Sequence, residues 1–278
     1  MTLLAFAPLV ALGAFFAGLL GSLTGLGGGI VIVPMLTLLF HVDLRYAIGA
    51  SLISVIATSS GAAAAFVREG FTNVRVGILL EVATTSGALV GALLAGVTPT
   101  TTLSILFGLA ALFTAYNSMQ PLGDHLTDAP SHPWAKRLRL DSTYPTDEGL
   151  KPYRVQRVPF GLTLMFGAGA LSALLGIGGG IIKVLAMDRG MRLPFKVSTT
   201  TSNFMIGVTA SASAGVYLRR GYINPGIAAP VMLGVLAGAL IGARILTRAR
   251  SETLRKVFAA LVVIAGIEML YKGITGAM

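Results

Sequence analysis

Two glycine-rich runs hold the positions best suited to chemistry. Gly25-Leu26-Gly27-Gly28-Gly29-Ile30 recurs as Gly176-Ile177-Gly178-Gly179-Gly180-Ile181, a shift of 151 positions. Each run precedes a short apolar stretch, 30–40 in the first case and 181–187 in the second. A helix start leaves backbone N–H groups unpaired and carries a partial positive charge, so it suits an anion. Glycine also lets other atoms approach the backbone and admits left-handed angles. Gly25, Gly27, Gly28, Gly29, Gly176, Gly178, Gly179 and Gly180 are therefore candidate substrate-binding backbone. The competing reading is helix packing, since Gly25/Gly29 and Gly176/Gly180 also have small-xxx-small spacing.

Side chains near these runs extend the case. Lys183 sits about three residues into the second short stretch, where its repeat counterpart is Ile32. A cation there opposes the helix dipole, and a bound anion would resolve the conflict. The equal alternative is a lysine that snorkels to an interface and pairs with Asp188. Ser51, Ser202 and Asn203 closely follow the breaks and offer donors without fixed charge. Ser51 matches Ser202 at the common offset, and Thr58 matches Thr209. Helix–helix hydrogen bonding explains such hydroxyls as well. Glu81, within an apolar segment, is a candidate for proton coupling, because an intramembrane carboxylate is a functional hypothesis by default. No serine–histidine–aspartate set or histidine-rich metal cluster occurs, and the chain has no cysteine. No enzyme activity, metal or cofactor is read from it.

The elements that position these residues follow from composition. Hydrophobic residues make up 54% of the 278 and charged residues 12%, with mean hydropathy +0.81. A soluble domain is about one quarter charged. Apolar stretches of about 20 residues read as membrane helices. The expected segments are 3–24, 30–40, 46–67, 74–96 and 102–119, then 158–175, 181–187, 197–218, 224–246 and 253–272. The first is read as a retained helix rather than a signal peptide. The division is a first transmembrane repeat (1–119), a linker loop (120–157) and a second transmembrane repeat (158–278). Gly70-Phe71-Thr72-Asn73 and Gly221-Tyr222-Ile223-Asn224 obey the same offset, as do Gly87–Ala92 and Gly238–Ala243. For Gly87/Gly91 and Gly238/Gly242, close helix packing is the preferred reading.

The net charge of +10 does not imply nucleic-acid binding here. Alternating the segments across a bilayer puts 15 basic residues on one side and Arg45, Arg219, Arg220 and Lys272 on the other. The basic side is expected to be cytoplasmic. This makes 120–157 a cytoplasmic loop and places both termini outside. Five segments per half make the halves an inverted repeat, a common transporter plan. The linker is read as a solvated connector, with Trp134–Leu140 along lipid headgroups as the alternative.

The fold class expected is therefore an all-α polytopic membrane protein. It has two inverted repeats of about five helical segments each, with short broken or re-entrant helices after the glycine motifs. The paired glycine motifs, the Ala47-Ile48-Gly49-Ala50-Ser51-Leu52 stretch and the paired Gly-xxx-Gly helices resemble the sulfite exporter TauE/SafE family, also called TSUP. The resemblance spans nearly the whole chain outside the linker. The second copy departs from the first at Val197–Ser202, so the halves need not contribute equally. The resemblance implies a secondary transporter of sulfite, an organosulfonate or a similar sulfur-containing anion in the cell (inner) membrane. Together these give alternating access around a midplane site. A passive anion channel and a non-transporting accessory subunit are the alternatives. The expected partners are a small anion and the lipid bilayer. A coupled proton or sodium ion and a homo-oligomer stay open.

Overall fold

A computed structural model describes residues 3–24, 28–68, 70–120, 130–146, 149–246 and 251–276. The first half runs α1 (Leu3–Thr24), α2 (Gly29–Pro34), a π-helical turn (Met35–Leu39), α3 (Leu44–Arg68), α4 (Val74–Ala95) and α5 (Thr100–Met119). After α6 (Pro133–Arg137) and the strands β1 (Ser142–Thr146) and β2 (Gly149–Tyr153), the order repeats. It continues through α7 (Val158–Leu175), α8 (Gly180–Leu185), a second π-helical turn (Ala186–Gly190), α9 (Phe195–Arg219), α10 (Pro225–Leu246) and α11 (Ser251–Thr275). Among the described residues, five helices, α4, α5, α7, α10 and α11, are long and apolar enough to cross a membrane. Large apolar side chains such as Leu12, Phe16, Val82, Phe113, Leu240 and Ile264 point outward, whereas Glu81, Lys183 and Asn203 are buried. This arrangement suits a lipid solvent.

The duplication extends to backbone detail. The starts Gly29/Gly180, Met35/Ala186, Leu44/Phe195, Val74/Pro225 and Thr100/Ser251 all differ by 151. Positive φ recurs at the paired positions His41 (53°) and Arg192 (60°), and at Gly70 (76°) and Gly221 (72°). Both π-turns close alike, with Val42 N–H donating to the Leu36 carbonyl and Leu193 N–H to that of Met187. Each broken helix has six α-helical and five π-helical residues. At about 1.5 Å per residue that is about 16 Å, against an apolar core of about 30 Å. Neither spans. The expected end of the second one, Met187, falls short: the turn continues to Gly190, with Asp188 buried inside it. A charge at that place reads as a loop in sequence, but here the fold encloses it.

Packing recurs with the halves exchanged. Helix α1 lies on α10 and α4 on α7, while α3 meets α10 and α4 meets α9. A Cβ at Gly87 would collide with the Phe166 carbonyl, and one at Gly238 with the Phe15 carbonyl. Gly169 meets the Thr84 carbonyl as Gly18 meets that of Val235. These seams confirm close packing as the role of Gly87 and Gly238. Cation–π contacts repeat too: Arg45 lies over Tyr222 and Lys196 over Phe71, both at 5.6 Å.

The linker is folded where it is described, which corrects the solvated-connector reading. Its strands pair as an antiparallel hairpin. Ala135, Leu140, Tyr144, Tyr153 and Val155 are buried in a core shared with Val76 and Leu80 of α4 and Met165 of α7. Asn73 organises the junction. Its side-chain oxygen accepts from Val76 N–H and caps α4. Its amide donates to the Leu140 carbonyl (2.8 Å) and the Tyr153 hydroxyl (2.7 Å). Burial pushes the Tyr153 hydroxyl up to about 12, so it stays neutral at physiological pH.

Two predictions follow from this packing. Gly87→Leu forces α4 off α7 and should lower the melting temperature in detergent, by the roughly 1–3 kcal/mol or more that overpacking costs. Gly167→Ala, where the added Cβ meets nothing within 4 Å, should change stability by less than about 1 kcal/mol. Asn73→Ala removes a cap worth about 1 kcal/mol and two ties to the linker. Trypsin should then cut faster at Lys136, Arg137, Arg139 and Arg154.

Candidate functional site

The second glycine motif is built by its backbone. Gly176, Gly178 and Gly179 have φ of 68°, 72° and 64°, angles that side-chain-bearing residues rarely adopt. Gly176 ends α7, its N–H donating to the Ser172 carbonyl, and Gly179 caps α8. In the first motif Gly28 caps α2 with an ordinary φ of −71°. Gly25 and Gly27 lie outside the described residues. The two motifs meet: a Cβ on Gly29 would stand 2.7 Å from the Gly176 carbonyl oxygen and 2.8 Å from Ser51 Oγ. Gly178 sits between Val55 of α3 and Ile206 of α9.

The space beside these starts is small. A cleft of about 10 Å³ is lined by Ile30, Thr114, Ile177, Gly179, Gly180 and their neighbours Ile181 and Ile182. That is room for about one water. A sulfur oxyanion does not enter it without rearrangement. A larger cavity of about 180 Å³ opens beside the first π-turn, lined by Thr37, His41, Asp43, Thr100 and Lys272 among others.

The structure commits several candidate donors to protein. Ser51 Oγ donates to the Gly176 carbonyl at 2.7 Å, tying α3 to the second motif. Ser202 Oγ donates to the Gly180 carbonyl at 3.2 Å. Asn203 is buried on α9. Ser172 Oγ, next to Gly179, is buried with no hydrogen-bond partner among the described residues. It is a donor that sequence reading missed.

Lys183 is the most informative side chain. It has 0% exposure, so it does not snorkel to an interface. Its Nζ donates to Thr209 Oγ1 at 2.6 Å, and Thr209 Oγ1 donates to Glu81 Oε1 at 2.7 Å. Thr85, one turn along α4, donates to the same oxygen at 2.8 Å. Glu81 Oε2 is buried and has no partner among the described residues. One hydroxyl thus separates a carboxylate of the first half from an ammonium of the second. The spacing of Thr85 four residues after Glu81 was a visible signal, and Thr209 stood out as the match of Thr58. Their convergence on Glu81 was not visible.

A duplicated bundle of apolar helices, with two glycine motifs in contact and a buried Lys183–Thr209–Glu81 chain, has the anatomy of a membrane transporter. The family model for sulfite exporter TauE/SafE matches residues 10–269. The chain belongs to the TauE/SafE family. The probable membrane transporter protein YunE of Bacillus subtilis is 29% identical over 280 residues, covering 98% of this chain and 99% of that one. The probable membrane transporter protein YdhB of the same organism is 24% identical, covering 95% of this chain and 100% of the relative. A probable membrane transporter protein of Methanocaldococcus jannaschii is 25% identical, covering 95% of each chain. No solved structure gives a significant match. Family and relatives together identify a multi-pass membrane protein and a probable transporter. The non-enzyme reading agrees with them.

The pairing is testable by a double-mutant cycle. Removing one partner of a buried ion pair costs about 3–5 kcal/mol. Lys183→Met and Glu81→Gln should each lower the melting temperature in detergent. The double variant should melt above either single variant, because neither charge is then left alone.

Proposed function

We propose that the protein is a secondary transporter of a small sulfur-containing anion, sulfite or an organosulfonate, working by alternating access. The observation that carries the reading is a fully buried ammonium, Lys183, on the broken helix that follows the second glycine motif. A cation is seldom kept inside a membrane bundle unless it serves a substrate or ion path. The family description supplies the sulfur oxyanion, while the relatives' names specify no substrate. The closed 10 Å³ cleft fits a carrier in an occluded form, which must rearrange to admit substrate.

In this reading the two halves are inverted repeats, and the anion binds near the midplane where Gly29 and Gly176 touch. The backbone of both glycine motifs, with Lys183, Ser202 and Asn203, forms the site, and Ser51 holds it in shape. The excess of basic residues on one side supports a cytoplasmic 120–157 segment, termini outside and a place in the inner membrane.

Purified protein in liposomes tests this directly. Vesicles preloaded with unlabelled sulfite, thiosulfate or isethionate should take up the labelled anion by saturable counterflow. Large conductance without counterflow would instead mark a channel, and no flux from the isolated protein an accessory subunit. Lys183→Ala should raise the half-saturating concentration roughly ten- to a hundredfold, matching the about 1.5–3 kcal/mol of a hydrogen bond to a charged group. Unchanged half-saturation in a folded variant would remove Lys183 from the site.

A further inference from the structure

The Lys183 that an anion needs is already neutralised. Thr209 links it to Glu81 across bonds of 2.6 and 2.7 Å. Other charges near this pair are few. Helix α4 packs on α7 and α9. No ionisable residue occurs in α7, and α9 carries Lys196, Tyr217 and Arg219 at its two ends. Lys196 stacks over Phe71, Tyr217 donates to the Ala173 carbonyl, and Arg219 is exposed. Asp188 and Arg189 lie in the π-turn beyond α8, and Arg75 at the start of α4 donates to the Arg139 carbonyl. Lys183 is therefore the charge that faces Glu81.

The pair has unused capacity on both sides. An ammonium has three donors, and among the described residues Lys183 gives one, to Thr209. Glu81 Oε2 is buried and unpartnered there. Thr209 has a single hydroxyl proton and two acceptors in reach, Glu81 Oε1 at 2.7 Å and the Met205 carbonyl at 3.1 Å. It can turn from one to the other without moving the helix.

We propose that Glu81 is the proton site of an anion–proton cotransport in which the proton and the anion exchange places as the partner of Lys183. The idea rests on the transport reading above and adds its coupling. In the empty carrier the Glu81 carboxylate and the Lys183 ammonium sum to zero. A proton taken up by Glu81 makes that carboxyl neutral, Thr209 turns its hydroxyl to Met205, and the Lys183 ammonium receives the anion. For a singly charged anion the loaded site again sums to zero. On the far side the anion leaves, Glu81 releases its proton to that side, and the ion pair re-forms. Anion binding without the proton would bury a net negative charge, and proton binding without the anion a net positive one. Either state costs several kcal/mol inside the bilayer. Coupling therefore arises from charge neutrality rather than from a moving gate.

The unmodified protein provides the first test. Isethionate, with a fixed single charge, is added to detergent-purified protein in weakly buffered solution. Binding should draw in about one proton per anion, the amount that one carboxylate accepts. In liposomes, an inwardly directed proton gradient should drive accumulation of the labelled anion. Glu81→Gln should lose that response while still exchanging anion at a measurable rate, and Glu81→Asp should recover part of it. Anion binding without proton uptake, or an undiminished gradient response in Glu81→Gln, overturns the coupling and leaves the transport reading standing. Failure of the unmodified protein to exchange any of the three anions overturns both.

Discussion

A lysine enclosed in an apolar bundle must be neutralised from within, because water and counterions do not reach it. That requirement shapes this structure around Lys183. The nearest compensating charge comes from the other half of the chain, on α4, and the Thr209 hydroxyl spans the gap. The ion pair therefore does what a short loop cannot: it fixes α8 and α9 of the second half against α4 of the first. The contact between Gly29 and Gly176, with the Ser51 bond to the Gly176 carbonyl, joins the halves through the backbone. Broken helices carry unpaired backbone groups that the bilayer will not solvate. Here the Gly176 and Gly180 carbonyls accept from the Ser51 and Ser202 hydroxyls.

The long helices serve a different purpose. The α1–α10 and α4–α7 seams bring glycine directly against carbonyl, with no side chain between. In lipid, where apolar side chains gain little by meeting one another, such close backbone approach is a main source of helix association. Each seam joins a helix of one half to a helix of the other, so these seams too bridge the duplication. The Lys183–Thr209–Glu81 chain lies on α8, α9 and α4. A scaffold of dry seams surrounding a polar junction allows the junction to rearrange at low cost, since its bonds are hydroxyl contacts with alternative acceptors nearby.

Much of this was legible because duplication leaves a constant offset. The offset of 151 placed the starts of matched helices before any coordinates, and glycine spacing identified the seams. What escaped depends on residues distant in sequence. Nothing local in Glu81 or Lys183 announces the other, because an ion pair has no periodicity. Ser51 and Ser202 were read as donors to an anion, yet they donate to the Gly176 and Gly180 carbonyls of the second glycine motif. The linker escaped for a related reason. Its tyrosines and short strands look polar and irregular, and they become a core only where Asn73 and the exposed end of α4 provide a surface.

The asymmetry between the halves then takes on meaning. The repeat equivalents of Glu81, Thr209 and Lys183 are Met232, Thr58 and Ile32, and Ile32 is fully buried in an apolar cluster. Only the hydroxyl survives in the second location, where it donates to the backbone of its own helix. Two symmetric pairs of buried charges would double the desolvation cost. A single pair provides one charged position, while the apolar twin at Ile32 keeps the packing of the duplicated backbone.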